Sequence, residues 1–197
     1  MKDRIRAIQR HLGVTADGVI GPVTLGAIEK VLGIDAANVL VSIPTQAQVR
    51  SGTSVYGPPG REDNLVNVTP PYTLYYEGQP VKTIRVHRLV AGRVAAALRA
   101  VLDHYGEARI RELGLDQYSG SYNYRSTSTG SSLSMHAWGI ALDFDAENNT
   151  YGMRRPEARL SGDEYVAWWE AWEAQGAVSL GRERDYDWMH IQFARLG

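Results

Sequence analysis

The chain has 197 residues, 44% hydrophobic and 22% charged, enough to bury one substantial core and a small second unit. Its 21 basic and 22 acidic side chains leave a formal net charge of −1, which gives no reason to expect nucleic acid as a partner unless a local basic patch supplies one. With no cysteine there is neither a disulfide framework nor a thiolate metal site, so a transition metal would have to be held by histidine and carboxylate.

The opening stretch, MKDRIRAIQRHLG, is charged throughout, and no apolar run approaches the roughly 18 residues that a membrane helix needs. The protein is therefore expected to be made and left in the cytoplasm, without membrane insertion, and to reach any external target only after release or delivery. Ile5, Ile8 and Leu12 stand at i, i+3 and i+7 and predict a short helix that Gly13 ends, with His11 solvated. Asp17-Gly18 signals a turn. Gly21-Pro22 then opens a second helix with Leu25, Ile28 and Leu32 on its buried side and Gly33 as its stop.

Residues 36–50 read as a linker, so the expected organisation is a small all-α unit over residues 1–35 and a larger domain over residues 51–197. Within the larger domain, Tyr72–Tyr76 and Val81–Val86 predict a hairpin turning at residues 77–80. Val90, Val94, Leu98, Val101, Leu102 and Tyr105 make the strongest helical pattern in the chain, flanked by His87 and His104 in structural roles and capped by Gly106. Residues 117–133 are crowded with Ser, Thr, Gly and Tyr and suit a substrate-facing loop around a short strand that carries Arg125. After a further loop over residues 148–162, Asp163–Gln175 predicts a helix with Trp168 and Trp172 on one face as core. Trp138 and Trp188 are candidates for walling a cleft.

Two stretches carry the chemistry, SMHAWGIALDFD at residues 134–145 and DYDWMHIQ at residues 185–192. Ile140, Leu142 and Phe144 alternate with Ala141 and Asp143, the period of a strand with one apolar face, and Asp143 points away from that face. In the second run His190 and Gln192 share a side. Gly139 can relax the backbone between His136 and the strand, so two neighbouring strands are able to bring His136, Asp143 and His190 together. Two neutral imidazoles and a carboxylate suffice for a catalytic zinc with an open fourth position, and Asp187 is left over as a base. On spacing alone, hydrogen-bonded structural histidines are the competing reading.

The wording S-x-H-x-x-G-x-A-x-D followed by D-x-M-H, over about residues 55–192, resembles the zinc D-alanyl-D-alanine carboxypeptidase and L-alanyl-D-glutamate endopeptidase family, the phage endolysin branch above all. The resemblance implies His136, Asp143 and His190 as zinc ligands and Asp187 as catalytic base. It also implies Arg125, in Tyr122-Asn123-Tyr124-Arg125-Ser126, as the group that supports the oxyanion. The implied fold is α+β, an antiparallel sheet with packed helices carrying the zinc site. The implied partner is the peptidoglycan stem peptide, cut between L-Ala and D-Glu, with removal of the terminal D-Ala as the alternative. A non-catalytic wall-binding zinc protein is the rival class. The N-terminal segment I-Q-R-H-L-G-V-x-A-D-G-V-I-G-P-x-T is similar to the helical peptidoglycan-binding module, at about half its usual length. A monomer is expected.

Overall fold

The computed structural model describes residues 1–20, 22–32, 43–127, 130 and 132–197. The chain divides into two compact units, Met1–Val41 and Ser42–Gly197.

In the first unit, α1 (Lys2–His11) precedes α2 (Pro22–Leu32). The expected apolar stripe is only partly inside: Ile5 and Leu12 are half-buried, while Ile8 is 49% exposed. The group at the centre is polar. Gln9 is fully buried; its amide nitrogen, whose two hydrogens are shared among three acceptors, lies 2.7 Å from Asp17 Oδ1, 2.8 Å from the Val19 carbonyl and 2.9 Å from Thr24 Oγ1, and its Oε1 accepts from the Gly18 amide (2.8 Å). A buried amide is tolerable only when satisfied, so these four bonds tie the Asp17-Gly18 turn to both helices. Gly18 is required there because its φ of 80° lies in the left-handed region. Gly21, Gly33 and the side chains of Leu25 and Leu32 lie outside the described residues.

The second unit begins earlier than the composition suggested. Residues 36–42 of the expected linker lie outside the described residues, but Gln46–Arg50 forms α3, whose N-cap Thr45 completes a reciprocal capping box with Gln48. Val49 is fully buried, and Thr45 pairs with Arg195 in a parallel bridge reinforced by Gln46 N to Arg195 O and Arg195 N to Pro44 O, both 2.9 Å. Five polar or small residues around one buried valine read as linker because the bridge partner, Arg195, lies at the far end of the sequence.

Three antiparallel sheets follow among the described residues. β1 (Leu65–Val68) pairs with β4 (Ile84–His87), and β2 (Leu74–Tyr76) with β3 (Gln79–Val81). The expected hairpin is therefore real but short. Glu77 and Gly78, both at positive φ, turn β2 into β3, and residues 84–87 leave that hairpin for a different partner. The third sheet has the order β5 (Tyr118–Gly120), β6 (Ala141–Phe144), β8 (His190–Gln192), β7 (Val178–Ser179).

Helix α4 (Ala91–Leu113) buries Val94, Ala97, Leu98 and Val101, an i, i+3, i+4, i+7 stripe, and packs against α5 (Val166–Glu173). Gly106, with φ 67° and ψ 159°, interrupts it as expected of a cap, yet the helix resumes to Leu113, where Gly114 ends it in the left-handed conformation. On α5, Trp168 and Trp172 are buried and meet the ring of Phe144 at 4.9 and 5.9 Å, supporting β6 from behind. No helix among the described residues is long and apolar enough to cross a membrane.

Candidate metal centre

The register of β6 against β8 sets Asp143 directly opposite His190. Leu142, Phe144 and Ile191 face the core with no exposure, so the alternating positions Asp143, His190 and Gln192 turn to the other side of the sheet. His136 arrives from a 3-10 turn over Met135–Trp138 that Ser134 caps by accepting the His136 amide. Gly139, at φ 69°, ends that turn and bends the chain into β6. A side chain at Gly139 would also collide with Leu65 and the His87 backbone, so both conformation and space demand glycine.

These elements bring three ligand atoms together. His136 Nε2 lies 3.2 Å from His190 Nδ1 and 3.2 Å from Asp143 Oδ2, and His190 Nδ1 lies 2.9 Å from Asp143 Oδ1. The three side chains form a buried group able to hold a metal ion. A tetrahedral dication with bonds of about 2.0–2.1 Å keeps its ligands about 3.3 Å apart, close to the spacing found.

The tautomers fit as well. His136 Nδ1 donates to the Ser121 carbonyl, which leaves Nε2 as a lone pair. His190 Nε2 donates to Gln192 Oε1 (3.2 Å), which leaves Nδ1 as a lone pair. Gln192 is itself fixed, accepting from Gln46 Nε2 (3.0 Å) and donating to the Ala194 carbonyl. Two lone pairs and a carboxylate aimed at one point repel each other unless a cation or proton lies between them, and outer hydrogen bonds of this kind are how ligating histidines are normally oriented.

Charge on the group follows the same logic. Burial pushes the Asp143 carboxyl up, but His136 and His190 outweigh it and hold it well below the usual carboxylate range. Burial pushes His190 down, and the bonds and charge of Asp143, with Asp187 and Gln192 adding, bring it above the ordinary histidine value. Proton and metal thus compete for the same imidazole nitrogen, and uptake weakens as pH falls.

Asp187 enters from the turn before β8, where its carbonyl accepts the His190 amide at 3.1 Å. It takes φ 57° and Asp185 takes φ 51°, left-handed values that Asp tolerates better than most residues. The two aspartates divide the work. Asp185 Oδ1 accepts from the Arg155 amide and Trp188 Nε1, both 3.0 Å, and anchors the segment. Asp187 is 8% exposed, and its Oδ1 has no hydrogen-bonding partner among the described residues. Burial raises the Asp187 carboxyl, with Asp143 adding and His190, His136 and Arg125 opposing.

Asp187, His136, Asp143, His190 and Arg125 all line one cleft of about 330 Å³. A second cleft of about 530 Å³ shares Arg125, His136 and Asp143 with it, so the ligand group borders both clefts. Arg125 itself is exposed, its Nη1 donating to the Ser126 carbonyl at 3.2 Å, and it sits beside an isolated Ser126–Leu133 bridge rather than on a strand of its own. Residues 128, 129 and 131 of its loop lie outside the described residues.

Trp138 and Trp188 do not wall the cleft. Both are buried, with Trp138 Nε1 bonded to the Gly57 carbonyl and Trp188 packed so tightly on Gly181 that no Cβ fits between them. His87 is structural as expected, buried edge-on against Tyr56 with Nδ1 accepting the Leu89 amide. Gln192 stood legibly on the ligand side of its strand without an assigned role. Gln46 and Arg50 carried no local signal, since α3 reaches the cleft only through the fold. Comparison with protein-family models, curated proteins and solved structures finds no match to the chain.

Proposed function

We propose that the protein is a zinc-dependent peptidase of peptidoglycan that cuts the stem peptide between L-Ala and D-Glu. The observation that carries this reading is the convergence of His136, Asp143 and His190 beside a buried carboxylate, Asp187, whose Oδ1 has no partner among the described residues. Nitrogen and oxygen donors in a three-ligand group suit zinc, and zinc bound there supplies a Lewis acid that lowers the pKa of coordinated water to about 7 and polarises a carbonyl.

The side chains supply the rest. Asp187 takes the proton of the attacking water and passes it to the departing nitrogen, a task for which a carboxyl lifted by burial is suited. Arg125 supplies the cation that meets the oxyanion developing on the carbonyl. His136 and His190 are held in one tautomer by Ser121 and Gln192 and need not reorganise during turnover. This pairing of ligand group, base and cation separates the reading from a non-catalytic zinc protein, which has no use for Asp187 or Arg125.

Two clefts that both border His136 and Asp143 favour internal cleavage, because a substrate that continues past the scissile bond has somewhere to go. Residues 1–35 are read as a wall-targeting unit on the strength of their sequence likeness. Mass spectrometry of peptides released from purified peptidoglycan is expected to find new D-Glu amino termini. Release of free D-Ala with the L-Ala–D-Glu bond intact would overturn the choice of bond while leaving the zinc chemistry in place.

A further inference from the structure

A second cation shares the cleft with Asp187. Arg50, on α3, lines the 330 Å³ space, its Nε donating to the Leu133 carbonyl (3.1 Å) and its Nη1 to Gln46 Oε1 (3.1 Å). Both acceptors are neutral, and among the described residues no carboxylate lies in ion-pair range of Arg50. Two of its five N–H donors are spent on fixing the guanidinium, which leaves three for a ligand. Burial lowers the pKa of its guanidinium. Gln46, which holds Arg50, also bonds Gln192 and through it His190, so the cation is built into the same framework as the ligand group.

The chemistry indicates which half of a substrate lies there. Asp187 lines the Arg50 cleft and not the 530 Å³ cleft beyond the ligand group. A base that returns its proton to the leaving nitrogen must stand on the amine side of the scissile bond. The same side is basic further out, where Arg154 and Arg184 line a neighbouring space that shares Gln46 and Tyr186 with this cleft. At the L-Ala–D-Glu bond, the carbon bearing the leaving nitrogen also bears a free α-carboxylate, since D-Glu continues the stem through its side chain.

We propose that Arg50 binds the carboxylate on the carbon bearing the leaving nitrogen and makes the enzyme prefer that acid to its amide. The inference rests on the peptidase reading of the site. It deepens that reading by giving the amine half of the substrate a required charge.

The test uses L-Ala-γ-D-Glu-L-Lys with its D-Glu α-carboxyl either free or as the carboxamide. Dissociation constants are measured by calorimetry on the zinc-supplied full chain carrying Asp187→Asn, so that neither peptide is consumed. The acid should bind about tenfold to a hundredfold more tightly than the amide, the scale of one hydrogen bond between charged groups. Adding Arg50→Gln should bring that ratio close to one at unchanged zinc content, while Arg50→Lys, which keeps the charge and loses the planar fork, should retain part of it. An undiminished ratio in Arg50→Gln overturns the assignment, as does a parent background that binds neither peptide or binds both equally. A chain with intact Asp187 that prefers the acid but hydrolyses neither peptide would count against the peptidase reading alone.

Discussion

Asp187→Asn is expected to keep the fold and the metal while slowing hydrolysis by roughly 10² to 10⁴-fold, the usual contribution of a general base. Asparagine is the informative replacement. Residue 187 sits at φ 57°, a conformation that Asn adopts at least as readily as Asp, whereas a Cβ-only side chain would add about 1–2 kcal/mol of backbone strain. Asp187 is not one of the three ligand residues, so zinc content should stay at about one per chain. The base must be ionised, so Asp187 should contribute to the acid limb of the parent's rate profile, with activity falling as its carboxyl, raised by burial against the opposing charges of His190, His136 and Arg125, takes up a proton. A variant that turned over at the parent rate with this limb unchanged would move the base to another residue.

The other large effect is loss of the metal itself. His190→Ala removes one of three ligands and strips Asp143 of a partner that holds its carboxyl low. Removing only an outer hydrogen-bonding partner of a metal ligand commonly costs 10 to 100-fold in affinity, and removal of the ligand should cost more. The variant should leave dialysis with little zinc and with hydrolysis at background. His136→Ala should behave alike, since its Nε2 stands 3.2 Å from both other ligand atoms. Metal analysis of the dialysed variants reads the result directly, and a full equivalent of zinc in either one would remove these residues from the coordination sphere.

What was legible in the sequence was local. The period of two in Ile140–Phe144 and the shared side of His190 and Gln192 follow from strand geometry, and the structure has Asp143 and His190 as direct partners on adjacent strands. Gly139 was marked as a place where the backbone could bend, and it does so at φ 69°. Where expectation and structure part, the deciding contact is distant. Thr45–Arg50 reads as linker until Arg195 pairs with it, and Val81–Val86 reads as one strand until β1 claims its second half. Trp138 and Trp188 adjoin the motifs in sequence, but both lie in turns that bury them, Trp138 with its Nε1 on the Gly57 carbonyl and Trp188 against Gly181. Arg50 lies outside every motif because its position in the cleft depends on α3 docking near the chain's other end. The first unit departs for a different reason: a single satisfied glutamine, invisible to any hydrophobic pattern, takes the central place that Ile8 was expected to share.

The most direct test of the central claim, that these residues form a metal-dependent peptidase, is to follow peptide release from purified peptidoglycan by the parent chain as zinc is withdrawn and returned. Release should stop when a chelator removes the metal and recover as about one equivalent of zinc per chain is restored. Release that continues unchanged in the chelated protein, or none at all from the fully zinc-loaded chain, would contradict the account.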